Sequence, residues 1–162
     1  MLRRAAKMIE SKIDTAELER RLVRIAGNVK SRTTVNRQIA TQLTAWVLRN
    51  FRGQGGLSVS GWAPLKPATI KAKARKGYSM ILQNTGALRQ SFMPFSDNDM
   101  AGTGAQQLKG SSAPLDLAKI HQEGAPAANI PARPMLPTMD QALPIGIKIY
   151  ELHIAKAVGG SR

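Results

Sequence analysis

Six large apolar residues constrain this chain more than anything else in it. Val35, Ile39, Leu43, Trp46, Val47 and Phe51 recur at steps of three and four, with Val47 directly beside Trp46. That spacing follows the turn of an α-helix and writes one continuous apolar stripe, so a long amphipathic helix has to lie against a core. The helix is expected to open near Thr33 or Thr34, with Trp46 and Phe51 as core anchors. Immediately behind it, residues 52–61 read RGQGGLSVSG, and four glycines in ten positions cannot continue a helix. A mobile loop with positive-φ residues is predicted there.

The segments on either side add further elements. Residues 1–13, with Arg3, Arg4, Lys7 and Lys12, are expected to form a basic arm. Asp14 and Glu17 have the spacing of a capping box, followed by a helical stripe at Leu18, Leu22, Ile25 and Val29. After the glycines, Trp62 and Leu65 are expected to anchor the loop to the core, and Pro67 to open a short helix. Lys66, Lys71, Lys73, Arg75 and Lys76 crowd that helix, and Gly77 is placed to end it. Residues 81–88 read as a corner with Leu82 and Leu88 inward, and the stretches flanking Ser96-Asp97-Asn98 as a β-hairpin with Pro94 on an edge strand. Pro114 begins a helix through Leu117 and Ile120 that Gly124 stops. Residues 125–137 contain four prolines and predict a stiff, extended arm. Thr138 and Gln141 form a second capping box, and Pro144 is expected to kink or interrupt the C-terminal helix. That helix carries a broad apolar face of Ile147, Ile149, Tyr150, Leu152 and Ile154, and a frayed tail is expected from residue 159. The fold class is α+β: a small antiparallel hairpin packed with several helices, with long N-terminal and C-terminal helices. Residues 14–158 form one expected domain, without internal repeats.

Charge separates the two halves of the chain. Residues 1–76 hold 17 bases and 4 acids, whereas residues 77–162 hold 7 and 6, and no acid lies between Arg20 and Ser96. This asymmetry points to a polyanion or an acidic protein surface facing the first half. No zinc-finger, helix-turn-helix or aromatic-rich recognition pattern accompanies the charge, so any nucleic-acid contact would be to the phosphate backbone and weakened by salt. A solvated basic face is the plain alternative.

Catalytic constellations are missing from the pattern. The chain has no cysteine, which removes disulfides, thiolate metal sites and a cysteine nucleophile. His121 has Asp116 and Glu123 nearby in sequence, but neither stands three or four residues away on a shared helix face, and His153 has no metal-spaced partner. The serines lack a nucleophile-elbow context, and Gly102-Thr103-Gly104 lacks the Gly-Lys-Ser/Thr that opens a phosphate-loop helix. No cofactor, no metal and no enzymatic activity are expected. With no bilayer-length apolar run and no signal-peptide core, a soluble protein made in a cytoplasm is expected.

From residue 51 onward the order of motifs resembles a known family. Phe51, the glycine-rich loop, Trp62-Ala63-Pro64-Leu65, Thr69 and Lys73 come first. Leu82-Gln83-Asn84-Thr85-Gly86-Ala87-Leu88-Arg89-Gln90-Ser91 and Gly102-Thr103-Gly104 follow, then Ala118-Lys119-Ile120-His121-Gln122-Glu123-Gly124 and Ile130-Pro131-Ala132-Arg133-Pro134-Met135-Leu136. This series, over about residues 39–158, resembles the phage virion-morphogenesis family, which includes tail-completion and head–tail joining proteins of Mu-like and related tailed phages. The long basic N-terminal region and the insert 106–114 depart from its pattern. The resemblance implies a structural virion protein in a homo-oligomeric ring at the neck, coaxial with the DNA channel. Six-fold symmetry is the expectation, because tails are generally six-fold. Head–tail connector and tail-tube proteins would be its partners, in the host cytoplasm during assembly and then at the head–tail junction of the virion. A terminator that caps tube growth and a sequence-independent nucleic-acid-binding protein are the alternatives. Lys66, Lys71, Lys73, Arg75 and Lys76 are the candidate contacts to DNA or an acidic surface. His121, Gln122 and Arg133 are the candidate subunit contacts, with an intrachain carbonyl cap or salt bridge as the other reading of Arg133.

Overall fold

The computed structural model describes residues 32–107 and 113–159, together with residues 19, 20, 22, 23 and 27. The expected basic arm, the capping box at Asp14 and most of the stripe after it lie outside these residues, as does most of the insert 106–114.

The apolar stripe becomes helix α1, Thr33–Arg52, against which the hairpin strands and the C-terminal helix pack. Its first N–H groups have no side-chain cap of their own at Arg32. Instead the Arg32 N–H donates to Asn98 Oδ1 at 3.0 Å, and the guanidinium pairs with Asp99 at 2.9 Å, so a distant turn meets the helix start. At the other end the Gly53 N–H closes onto the Arg49 carbonyl at 2.8 Å. The C-terminal half of the stripe, Trp46, Val47 and Phe51, is buried with Trp62, Leu88, Phe92, Ala118 and Met135. The Phe51 ring meets Trp62 edge-on at 5.2 Å and Phe92 tilted at 5.7 Å, geometries that aromatic quadrupoles favour. Val35, Ile39 and Leu43 form a second cluster nearer the start of the helix.

Three short elements follow: α2 (Pro67–Ala74), α3 (Ala87–Gln90) and the hairpin of β1 (Phe92–Ser96) with β2 (Ala101–Ala105). The strands pair antiparallel from Phe92 opposite Ala105 to Ser96 opposite Ala101. Both strands of a two-stranded sheet are edges, which is why Pro94 is tolerated opposite Thr103. The Asp97 carboxylate accepts the Asp99 and Met100 N–H groups at 2.7 and 2.8 Å, which tightens the turn and holds that carboxyl below the usual carboxylate range. The hairpin lies on α1, tied to it by Thr44–Thr103 hydroxyls at 2.9 Å and by Asn36 Nδ2 donating to the Asp97 carbonyl.

Helix α4 (Ala113–Glu123) leads through a single 3-10 turn, Pro126–Ala128, into the proline segment and then α5 (Met139–Gly159). α5 packs on α1 through Ala142, Ile145, Ile149 and Tyr150, whose hydroxyl donates to Asn36 Oδ1 at 3.1 Å. Pro144 does not interrupt this helix as expected. It sits in the second turn, where the missing N–H leaves one first-turn carbonyl without a helix donor, and the packing of Ala142 and Ile145 on either side outweighs that loss. The capping box forms in part, with the Thr138 N–H donating to Gln141 Oε1. The broad apolar face of α5 is divided: no residue of the helix is fully buried, and Leu143, Ile147, Leu152, Ile154 and Val158 remain exposed.

This division predicts a contrast. Phe51→Ala should cost about 3–5 kcal/mol of stability, as a large core ring replaced by a cavity does, whereas Ile147→Ala should stay within about 0.5 kcal/mol. Denaturant unfolding of the two variants checks both.

Candidate functional site

The glycine-rich segment is held rather than loose. Gly55 has φ 86°, and the Trp62 indole lies so close over it that a Cβ there would come within 2.2 Å of the ring. Only glycine combines that backbone conformation with that approach. Asn50, fully buried on α1, supplies the polar ties. Its Oδ1 accepts the Leu57 N–H at 3.1 Å, and its Nδ2 donates to Ser58 Oγ at 2.8 Å and to the Pro134 carbonyl at 3.2 Å. The same carbonyl accepts Ser58 Oγ at 2.6 Å and Trp62 Nε1 at 2.7 Å. The mobile loop expected at residues 52–61 is therefore a series of turns closed on the proline segment, because buried polar groups there must find partners and do. Gln54 and Gln83 extend the lacing by donating to the Phe51 carbonyl, and Gln54 Oε1 accepts the Ile81 N–H.

The proline segment closes from the other side. Gly124 turns the chain at φ 79°, where a Cβ would meet the Ala132 nitrogen at 2.9 Å. Residues 125 and 130 then bridge antiparallel. Arg133 is 6% exposed; its Nε donates to the Ala63 carbonyl at 2.9 Å and its Nη2 to the Pro64 carbonyl at 3.3 Å. Its backbone N–H donates to the His121 carbonyl at 2.6 Å. Gln122 Oε1 accepts the Met135 and Leu136 N–H groups at 2.8 and 3.2 Å. Of the three residues expected at a subunit contact, Gln122 and Arg133 fasten the chain to itself through their side chains and His121 through its backbone carbonyl, with Arg133 in the intrachain carbonyl-capping role. A buried guanidinium must have acceptors at hand, and two adjacent carbonyls of the Trp62–Leu65 turn provide them.

His121 is half-buried beside Arg133. Burial, and then the Arg133 charge, push its pKa below the ordinary imidazole value, and its buried Nδ1 has no hydrogen-bond partner. The basic cluster divides as well. Lys66, Lys71, Arg75 and Lys76 are exposed, but Lys73 is half-buried. Its ammonium donates to the Gln83 carbonyl at 2.9 Å and to Asn84 Oδ1, and burial lowers its pKa. Lys73 holds the 82–84 corner, where Leu82 adopts φ 56°, and is removed from the set of free cations. Of the expected core anchors, Trp46, Phe51 and Trp62 are buried, and Leu65 is half-buried on the rim of an open groove.

That groove, about 710 Å³, runs between α2, the 82–88 corner, α4 and the proline segment. Leu65, Leu88, Leu117 and Ile130 make its wall largely apolar, and Lys66 and Lys73 stand at its edge. Among the described residues no cluster of His, Asp and Glu could hold a metal ion. The polar groups behind the groove mostly face backbone partners, so the arrangement suits contact with another apolar surface. The sequence reading missed Asn50 and Ser58. A signal existed for Asn50, a polar residue three positions after Val47 and thus inside the apolar stripe; Ser58 gave none.

The segments that build this site are matched elsewhere. Residues 13–147, most of the chain, match the phage virion morphogenesis family. No curated protein and no solved structure matches the chain.

Two outcomes are expected. Gly55→Ala forces both a positive φ on a side chain and a displaced Trp62, and should lower stability by more than about 2 kcal/mol in denaturant unfolding. His121 binds its proton less readily in the folded than in the unfolded chain. Stability should therefore be full above pH 6.5 and decline as the pH falls through that value toward the lower folded pKa. Thermal melts at neutral and mildly acidic pH should show a smaller acid-side drop for His121→Gln than for the natural chain.

Proposed function

The chain belongs to the phage virion morphogenesis family, and from that membership we propose that it acts in tail completion and head–tail joining, as a homo-oligomeric ring at the neck around the DNA channel. The observation that carries this reading is that the segments resembling the family converge on one place. Trp62–Leu65, Lys73, Leu82–Leu88, His121–Gly124 and Ile130–Leu136 are scattered over some seventy residues of sequence, and together they form the groove and the hydrogen bonds behind it. A site built from carbonyl caps and apolar walls fits assembly better than chemistry. The virion role itself follows from the family.

Charge supports a channel-facing or acid-facing surface. Lys66, Lys71, Arg75 and Lys76 point into solvent from α2 and its ends, and α2 buries none of its own residues. Exposed cations without base-reading groups contact phosphate or carboxylate through charge alone. The same observation favours a second reading, a sequence-independent nucleic-acid-binding protein.

Disrupting the gene in its phage and viewing the lysate by electron microscopy is the test. Filled heads beside separate tails of normal length are expected. Overlong tails would instead assign a terminator role, and intact particles with attached tails would overturn the structural reading. Reversing Lys66, Lys71, Arg75 and Lys76 to Glu should reduce infectivity on complementation by about tenfold or more, because contacts of this kind depend on charge. Unchanged infectivity would remove the basic face from the mechanism.

A further inference from the structure

Among the described residues, two apolar surfaces lie open, and their flanking charges are complementary. The first is the groove between α2, α4 and the proline segment, with Lys66 and Lys73 at its edge. The second is the outer stripe of α5. Leu143, Ile147, Ile154 and Val158 are between 43% and 56% exposed and lie along one side of the helix, beside Tyr150, which itself packs on α1. The described lining of the groove includes no residue of α5, so the two surfaces belong to different parts of the molecule.

Charge decides which surface meets which. Asp140 lies three residues before Leu143, and Glu151 lies four after Ile147 and three before Ile154, so both acids flank the stripe. Lys148 and Lys156 are not at those spacings from Leu143, Ile147 or Ile154 and fall on other sides of the helix. Stripe against stripe would bring the acids of two copies together, and groove against groove would do the same with the exposed Lys66. Stripe against groove sets Asp140 and Glu151 against Lys66 while burying both apolar surfaces. In a chain carrying 24 bases and 10 acids, that is the arrangement in which self-association escapes like-charge contact at the interface.

We propose that the outer stripe of α5 on one copy seats in the groove of the next. Such a contact joins two different patches, so each copy keeps one free groove and one free stripe, and repetition closes a ring when the rotation per step divides the circle. This inference rests on the ring reading above and names the surfaces that would make the ring.

The chain contains no cysteine, so cross-links can be placed at will. Leu117→Cys stands in the groove and Ile147→Cys on the stripe, both at exposed positions where the fold tolerates change. Oxidation of the double variant should give a ladder of dimers, trimers and larger species on non-reducing electrophoresis, and each single variant should remain monomeric. Glu151→Lys with Asp140→Lys should weaken the ladder by tenfold or more, and adding Lys66→Glu should restore much of it. Efficient dimers from Ile147→Cys alone, or an intrachain disulfide in the double variant, would overturn the proposal. Light scattering on the natural chain separates this contact from the ring itself. Rings without a ladder would remove this contact and leave the ring reading standing, whereas monomers at all concentrations without a ladder would remove both.

Discussion

The Pro134 carbonyl holds the tertiary structure together at its narrowest point. It accepts hydrogen bonds from Asn50, Ser58 and Trp62, residues 84, 76 and 72 positions away in sequence. An unpaired buried carbonyl is costly, and so is each buried donor, so the four groups stabilise one another only when the chain is fully closed. The Asn50 amide also fixes the glycine turns, and the Trp62 ring covers Gly55 and meets Phe51. The end of the central helix, the turns after it and the proline segment are thereby one cooperative unit. A proline is well suited to the acceptor position, because its ring stiffens the backbone and it brings no N–H that would itself need a partner.

This closure changes what the neighbouring polar residues do. Arg133, Gln122 and Lys73 look in sequence like groups available to a partner. In the fold each finds backbone carbonyls or N–H groups a few ångströms away and serves to hold a turn. The exposed Arg32–Asp99 pair adds little stability of its own, as surface ion pairs generally do, and serves more to bring the hairpin turn to the start of α1. Cohesion therefore comes from packing and from buried backbone contacts, which leaves the exposed cations of α2 free of structural duty. The groove and the outer stripe of α5 are likewise surfaces that the fold leaves uncovered. Virion assembly calls for such surfaces, and membership of a virion morphogenesis family gives them a context.

Much of the architecture was legible because it rests on periodicity and on residues with few conformational options. The stripe from Val35 to Phe51 is α1, Pro67 opens α2, Asp97 and Asn98 lie in the hairpin turn just after β1, and Gly124 ends α4. These are local effects, decided within one or two turns of chain. Of the kink or interruption that Pro144 favours, the interruption does not occur, because contacts of α5 with α1 that no window of sequence contains hold the helix together. The glycine-rich segment leaves the helix and takes positive φ at Gly55 and Gly61 as expected, but composition reports the freedom of an isolated segment and not the partners that tie it down.

The sequence by itself therefore determined the α+β class, the order of the elements, the amphipathic helix at the centre and the imbalance of charge, because each follows from side-chain periodicity, backbone preference or simple counting. Only the tertiary structure decided which polar residues face inward. Asn50 became a buried connector, Arg133 a cap for the Ala63 and Pro64 carbonyls, and Lys73 a clamp on the 82–84 corner, while Lys66, Lys71, Arg75 and Lys76 stayed in solvent. The physical reason is that a polar side chain carries the same donors wherever it stands. Whether those donors are used inside the chain or offered to a partner depends on acceptors brought near by folding, often from more than sixty residues away.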